Sequence, residues 1–154
     1  MKLHPRIRHA PDPDHPGWWT WDVEDRDRFN AALGKLLVRA EGPGRARCRM
    51  FPDKYHSNLG NVVHGGATMT FIDMAFFAGG RLAGADVAFA VTLDCNVQFL
   101  SPAALDRPLD AEVEVLRETG RLVFLRGRVV QEEVLVAAFA GTLRKFDGKS
   151  HGSD

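Results

Sequence analysis

Apolar and polar positions alternate with a period of two over residues 91–99, so Val91, Leu93, Cys95, Val97 and Phe99 share one face and Thr92, Asp94, Asn96 and Gln98 the other. The same alternation runs from Leu109 to Glu118, with Ala111, Val113 and Val115 set against Asp110, Glu112 and Glu114. Thr119-Gly120 then reads as a hairpin turn, and Arg121 to Glu132 and Val134 to Phe146 supply two further strands. Nearer the start, Leu36 to Glu41 and Arg45 to Phe51 read as a strand pair closed by Gly42-Pro43-Gly44. Between the two groups of strands the period changes. From Gly65 to about Leu82 the chain carries Ala67, Met69, Phe71, Ile72, Ala75, Phe76 and Phe77, apolar nearly all round, which predicts a buried helix. Gly79-Gly80 and Gly84 are expected to loosen its end.

The rest of the chain frames these elements. Pro5, Pro11, Pro13 and Pro16 make residues 1–19 an extended arm. Trp18, Trp19 and Trp21 crowd its end, where they either fasten the arm to the domain or form an aromatic wall for a ligand. Thr20 or Asp22 can cap a helix from Val23 to Leu33, with Val23, Phe29 and Leu33 as its apolar stripe and Gly34 closing it. Residues 52–63 read as a loop and 148–154 as a polar tail, leaving a single domain over 20–147. The expected class is α+β: one curved antiparallel sheet wrapped around a long central helix, with an additional N-terminal helix. A single sheet cannot enclose that central helix, so a second subunit is expected.

Composition narrows the function classes. Twenty basic residues balance twenty acidic ones, so no net field draws the chain to nucleic acid or to an anionic membrane. The most apolar run, Ala67 to Ala78, is interrupted by Thr68, Thr70 and Asp73 and is too short to span a bilayer. Cys48 and Cys95 fit neither a disulfide framework nor a metal site, and the first residues lack the apolar core of a secretory signal. A cytoplasmic location follows.

The chemistry concentrates at one helix. Asp73 is the lone acid of an otherwise apolar element, and a buried carboxylate must be paired or used. The Gly65-Gly66 start presents free backbone N–H groups suited to a developing negative charge. Asp73 could instead be satisfied structurally by threonine hydroxyls, and the glycine pair could serve only close packing. His4, His56 and His64 show no metal-ligand spacing, and no phosphate-binding glycine loop occurs.

The pattern Asn58-x5-His64-Gly65-Gly66-x6-Asp73, followed by Thr92-x-Asp94-x-Asn96 and Phe99-x-Ser101-Pro102, resembles the hotdog-fold acyl-CoA thioesterases, nearest in type to the phenylacetate-pathway (PaaI-like) branch. The resemblance covers residues 35–146. It implies a hotdog fold that hydrolyses an acyl-CoA carrying an aryl, aryl-acetyl or medium-chain group, with CoA part of the substrate and no cofactor. Asp73 would match the catalytic carboxylate, as nucleophile or general base, and the Gly65 N–H would meet the thioester oxygen. Asn58 would orient the carbonyl or the attacking water, and Thr92 would lie near that water. His64 would support the helix start. Each has a plainer role open to it: Asn58 shaping its turn, Thr92 packing in a strand, His64 donating one structural hydrogen bond.

Granting both catalytic roles fixes the assembly. Asp73 lies eight residues beyond Gly65, about 12 Å along the helix axis. Both must lie within about 3–3.5 Å of one carbonyl group. They must therefore come from different subunits, which predicts a homodimer with two composite sites, and a pairing of dimers into a homotetramer is the expected assembly. The competing reading is a non-catalytic acyl-CoA-binding module of the same fold. A hotdog hydratase is a third, but Met50 stands where its histidine before Phe51-Pro52 would be, and no Asp-x-Asn-Pro-x-His run occurs.

Overall fold

The computed structural model describes residue 1 and residues 3–146; the expected polar tail at 148–154 lies outside the described residues. Two strand groups flank the central helix in sequence and merge into one sheet in space. The first comprises β2 (Trp19–Thr20), β4 (Leu36–Ala40) and β5 (Arg45–Met50). The second comprises β6 (Ala90–Phe99), β7 (Leu109–Glu118), β8 (Leu122–Gln131) and β9 (Val134–Lys145). Together they form a seven-stranded antiparallel sheet in the order β2-β4-β5-β7-β8-β9-β6. The β4–β5 hairpin turns where it should, because Gly42 and Gly44 adopt φ of 96° and 71°, which only glycine does without strain. A separate two-stranded ribbon pairs β1 (Ile7–Arg8) with β3 (Asp22–Val23).

The helix α1 (Gly65–Leu82) lies on one face of this sheet, with Phe71, Ile72, Ala75, Phe76 and Ala78 fully buried against it. Sequence and structure agree on both of its ends but not on the reason for Gly79-Gly80. The helix runs straight through that pair, which exists for close approach to the sheet. It stops at Leu82, closed by Gly84 as expected, whose φ of 103° lets the Ala85 N–H reach the Gly80 carbonyl at 2.9 Å and the Gly84 N–H reach that of Arg81 at 3.1 Å. A Cβ on Gly79 would sit 2.7 Å from Val113 Cγ2 and 3.2 Å from Cys48 Sγ. Gly79→Ala would gain about 1 kcal/mol of helix propensity but overpack the core at a cost of about 1–3 kcal/mol. We therefore expect a lowered urea midpoint for Gly79→Ala. Gly80→Ala should cost less, since its Cβ would meet only side-chain ends, Leu125 Cδ2 at 3.1 Å and Val87 Cγ1 at 3.8 Å.

The helix expected from Val23 to Leu33 does not form. Val23 belongs to β3, and a single 3-10 turn, Phe29–Ala31, follows. The Asp25 carboxylate accepts the Asp27 N–H at 3.2 Å and its carbonyl accepts the Arg28 N–H at 3.4 Å, so the backbone is satisfied locally rather than by helix. Phe29, placed on the expected apolar stripe, is 74% exposed.

The arm is held by charge and aromatic contact. Asp12 is buried, bonded by Lys35 at 2.7 Å and by His15 at 2.7 Å. The Lys35 ammonium foremost, with His15, holds the Asp12 carboxyl down to about 2 against the opposing effect of burial. Trp18 is sandwiched between the guanidinium groups of Arg39 and Arg49, each 4.5 Å from the ring centre. Trp18 and Trp19 thus fasten the arm, whereas Trp21 has a different setting described below.

The alternation in β6 is broken by a bulge. Thr92 pairs with Leu143 and Asp94 with Thr142, so Leu93 is an extra residue. Ahead of the bulge Ala90 and Thr92 face the helix, and after it Cys95 and Val97 do, while Val91 and Leu93 are 47% and 54% exposed. The expected grouping of Val91 and Leu93 with Cys95 is thereby corrected. A strict period of two cannot see an inserted residue.

Candidate active site

The bulge decides the chemistry around Asp73. It turns Thr92 inward, where its hydroxyl donates to Asp73 Oδ1 at 2.6 Å. The second carboxylate oxygen, Oδ2, accepts from no group among the described residues. Cys95 is close by on the same strand, and its thiol is pushed up first by burial and then by the charges of Asp73 and Asp94. That thiol stays protonated and is no competing nucleophile. Sequence reasoning did not connect Cys95 with Asp73, because the bulge had to be known first.

The helix start is built separately. His64 is its N-cap, and its Nδ1 accepts the Gly66 N–H at 2.8 Å. The Gly65 N–H meets no acceptor among the described residues. His64 thus consumes one amide and leaves its neighbour open. The preceding loop is fixed by His56, which sequence reasoning passed over: buried, it donates from Nε2 to the Ala32 carbonyl at 2.9 Å and accepts the Asp53 N–H at Nδ1. Its carbonyl in turn receives the His64 N–H at 2.8 Å. Asn58 shapes the same loop, its Oδ1 accepting the Gly60 and Val62 N–H groups at 2.8 and 3.3 Å. Its side-chain NH2 has no partner among the described residues.

The structure brings together Asp73 with Thr92, and His64 with Gly65, but not the first pair with the second. Gly65 abuts the Phe99 ring, at 3.6 Å from the position a Cβ would take, so it lies at the far end of β6 from Thr92. Seven residues of strand separate those ends, about 20 Å. A stripe along the helix, Gly66, Met69, Thr70, Asp73, Phe77 and Arg81, is not fully covered by the chain's own sheet. Met69 is 43% exposed.

Beside Asp73 opens a cavity of about 480 Å³ whose walls include Thr92, Met74 and Phe77 and, from the arm, Leu3, Ile7 and Trp21. A larger groove of about 700 Å³ lies on the sheet face turned away from the helix. Its charges answer one another, with Glu114 bound to Arg126 at 2.8 Å and Glu112 to Arg128 at 2.7 Å. No group of three or more metal-ligating side chains occurs among the described residues, and no helix among them is long and apolar enough to cross a membrane.

Comparison with known proteins addresses kinship directly. The family model for the thioesterase superfamily matches residues 60–138, just over half of the chain. Acyl-coenzyme A thioesterase 13 of Homo sapiens is 32% identical over 100 residues, covering 62% of this chain and 68% of that protein. The TT0310 protein of Thermus thermophilus has 32% identity and a TM-score of 0.65, covering 79% of this chain and 99% of its own. A mutant of the phenylacetic acid degradation protein PaaI from the same organism has 31% identity and a TM-score of 0.65, covering 78% of this chain and 100% of its own. Similar sequence over the motif-bearing half, on a matching fold, leaves one kinship: this chain belongs to the thioesterase superfamily, among the hotdog-fold thioester hydrolases of the PaaI-like branch.

Proposed function

We propose that this chain hydrolyses an acyl-CoA thioester, with an aryl, aryl-acetyl or medium-chain acyl group, to the free acid and CoA. The observation that carries the reading is the Asp73–Thr92 pair: one carboxylate oxygen is fixed at 2.6 Å by a hydroxyl and the other is unengaged among the described residues, at the wall of a cavity of mixed lining. Oδ2 either attacks the thioester carbon or takes a proton from the water that does. As general base, Asp73 takes a proton from the water that adds to the carbonyl carbon and returns it to the thiolate as the C–S bond breaks. As nucleophile, it displaces the thiolate to form an anhydride that water then cleaves, one proton of that water going to the thiolate. The carbonyl oxygen gains charge in either course and needs an oriented donor, which the open Gly65 N–H supplies.

Within one chain that donor is on the wrong end of β6, so the reading requires a homodimer. Among the described residues β6 is the last strand of the sheet, ten residues long and with one edge unpaired. Such edges invite a partner. Exposed Leu93, Phe99 and Leu100 around it, at 52–54%, form an apolar seam with Met69. An antiparallel β6–β6 pairing about a twofold axis near Asn96 would set Cys95 against the partner's Val97. Counting the Leu93 bulge, it would set Thr92 against the partner's Phe99. Asp73 would then meet the partner's Gly65. In this arrangement Asn58 lends its free amide to the carbonyl or the water, and His64 holds the donor loop. The setting we assign is cytoplasmic, where Cys48 and Cys95, both free, stay thiols.

The test is release of free thiol from a panel of acetyl-, octanoyl-, benzoyl- and phenylacetyl-CoA. Turnover of one or more members, with saturation, is the expected result. Binding of acyl-CoA with no thiol released from any member would replace this reading with that of a binding module.

A further inference from the structure

Resting on the thioesterase reading above, we infer that the N-terminal arm is the wall of the acyl pocket, so that each protomer sets its acyl selectivity with its own first residues. The cavity beside Asp73 is closed on one side by the helix, through Met74 and Phe77, and on the other by Leu3, Ile7, Trp21 and Val23 of the arm. The ribbon β1–β3 places Ile7 opposite Val23, and Trp21 is 8% exposed, joined to the main core. The arm is therefore a built wall rather than a loose flap. It is also outside the family match, which begins at residue 60. The similar Thermus thermophilus protein is matched over 99% of its length by 79% of this chain, so about a fifth of this chain lies outside that match.

The walls say what the pocket accepts. A thioester carbon held at Asp73 leaves its acyl group facing the helix stripe that continues through Phe77 to Arg81, eight residues on, about 12 Å of helix. The arginines at that end are largely held elsewhere: Arg81 donates from Nη1 to the Ala85 carbonyl at 3.0 Å and faces Asp86 at 3.6 Å, leaving its buried Nε without a partner among the described residues, and Arg28 is bound to Asp25 at 2.8 Å. Arg6 is exposed at the mouth. Apart from His4, Asn30 and the Asp73–Thr92 pair itself, the rest of the lining is aliphatic and aromatic, a surface matched by an apolar acyl chain or ring of medium length rather than by the amide-bearing arm of CoA.

Opposite changes at Ile7 test this. In Ile7→Trp the ratio of kcat/KM for octanoyl-CoA over acetyl-CoA should fall about tenfold or more, as when a bulky group fills an apolar pocket. In Ile7→Ala the optimum along a C2–C14 series should move to longer chains. Leu3→Ala, four residues before Ile7 in the arm, should shift it in the same direction. A merely structural arm would change all chain lengths in parallel, and that result, or an unchanged profile in all three variants, overturns the inference. Wild-type turnover that survives in Asp73→Asn would instead sink the thioesterase site itself, whatever the arm variants show.

Discussion

Asp73→Asn is expected to lower thiol release by about a thousandfold or more, the loss typical of removing a nucleophile or general base. The substitution isolates the charge. Asparagine keeps an Oδ1 that accepts from Thr92, so the 2.6 Å contact and the strand geometry behind it survive. What disappears is the second oxygen, replaced by an NH2 that can neither attack a carbonyl nor take a proton. No neighbour can substitute, since burial and the charges of Asp73 and Asp94 hold the Cys95 thiol protonated. Thermal unfolding and oligomer size should match wild type, which separates lost chemistry from lost structure. Thr92→Val, which leaves the charge and removes only the hydrogen bond, should cost far less. An Asp73→Asn enzyme within tenfold of wild type would remove the carboxylate from the mechanism.

Much of this molecule was legible in its sequence because the relevant signals are local. Glycine before the apolar run and glycine after it bracket a helix whose ends fall where read, at Gly65 and Leu82. Gly42-Pro43-Gly44 fixes a hairpin by backbone conformation alone. The misreadings share one cause, that a tertiary partner outweighed a local preference. Val23 fits an apolar stripe on a helix, but it also pairs with Ile7, sixteen residues earlier, in a register only the folded chain reveals. Leu93 fits the alternation of its strand, but the bulge that displaces it depends on the register with β9. Gly79 resembles a helix breaker until Val113 and Cys48 are seen pressing against it.

The site was half legible for the same reason. Asp73 and Gly65 stand out by type and spacing, whereas Cys95, His56 and Trp21 acquire meaning only from what lies beside them. Trp18 and Trp21 look alike in sequence and differ entirely in role: one ring is clamped between Arg39 and Arg49, the other lines the cavity next to Asp73. Three residues of chain are enough to move a buried aromatic ring from the two arginines to the candidate pocket.

Gly65→Pro is expected to lower kcat by about 100- to 1,000-fold, the cost of losing one oxyanion donor. Proline suits this position otherwise. It is the first residue of the helix, where the N–H has no acceptor within the element. His64 ahead of it has φ −63° and ψ 137°, the extended conformation a residue before proline prefers. The Gly66 N–H to His64 Nδ1 bond is untouched. Gly65→Ala keeps the donor and meets the Phe99 ring only at 3.6 Å, so it should lose far less. The decisive form of the experiment mixes subunits. Gly65→Pro and Asp73→Asn homodimers each lack half of every site. A mixed dimer holds one site with both halves intact and one with neither. Unfolding and refolding the two variants together at equal concentration should therefore restore about a quarter of the wild-type rate, since half the dimers are mixed and each carries one working site of two. If the amide and the carboxylate instead belonged to one subunit's own site, no combination of these two chains could rebuild it, and the mixture would stay as inactive as its parts.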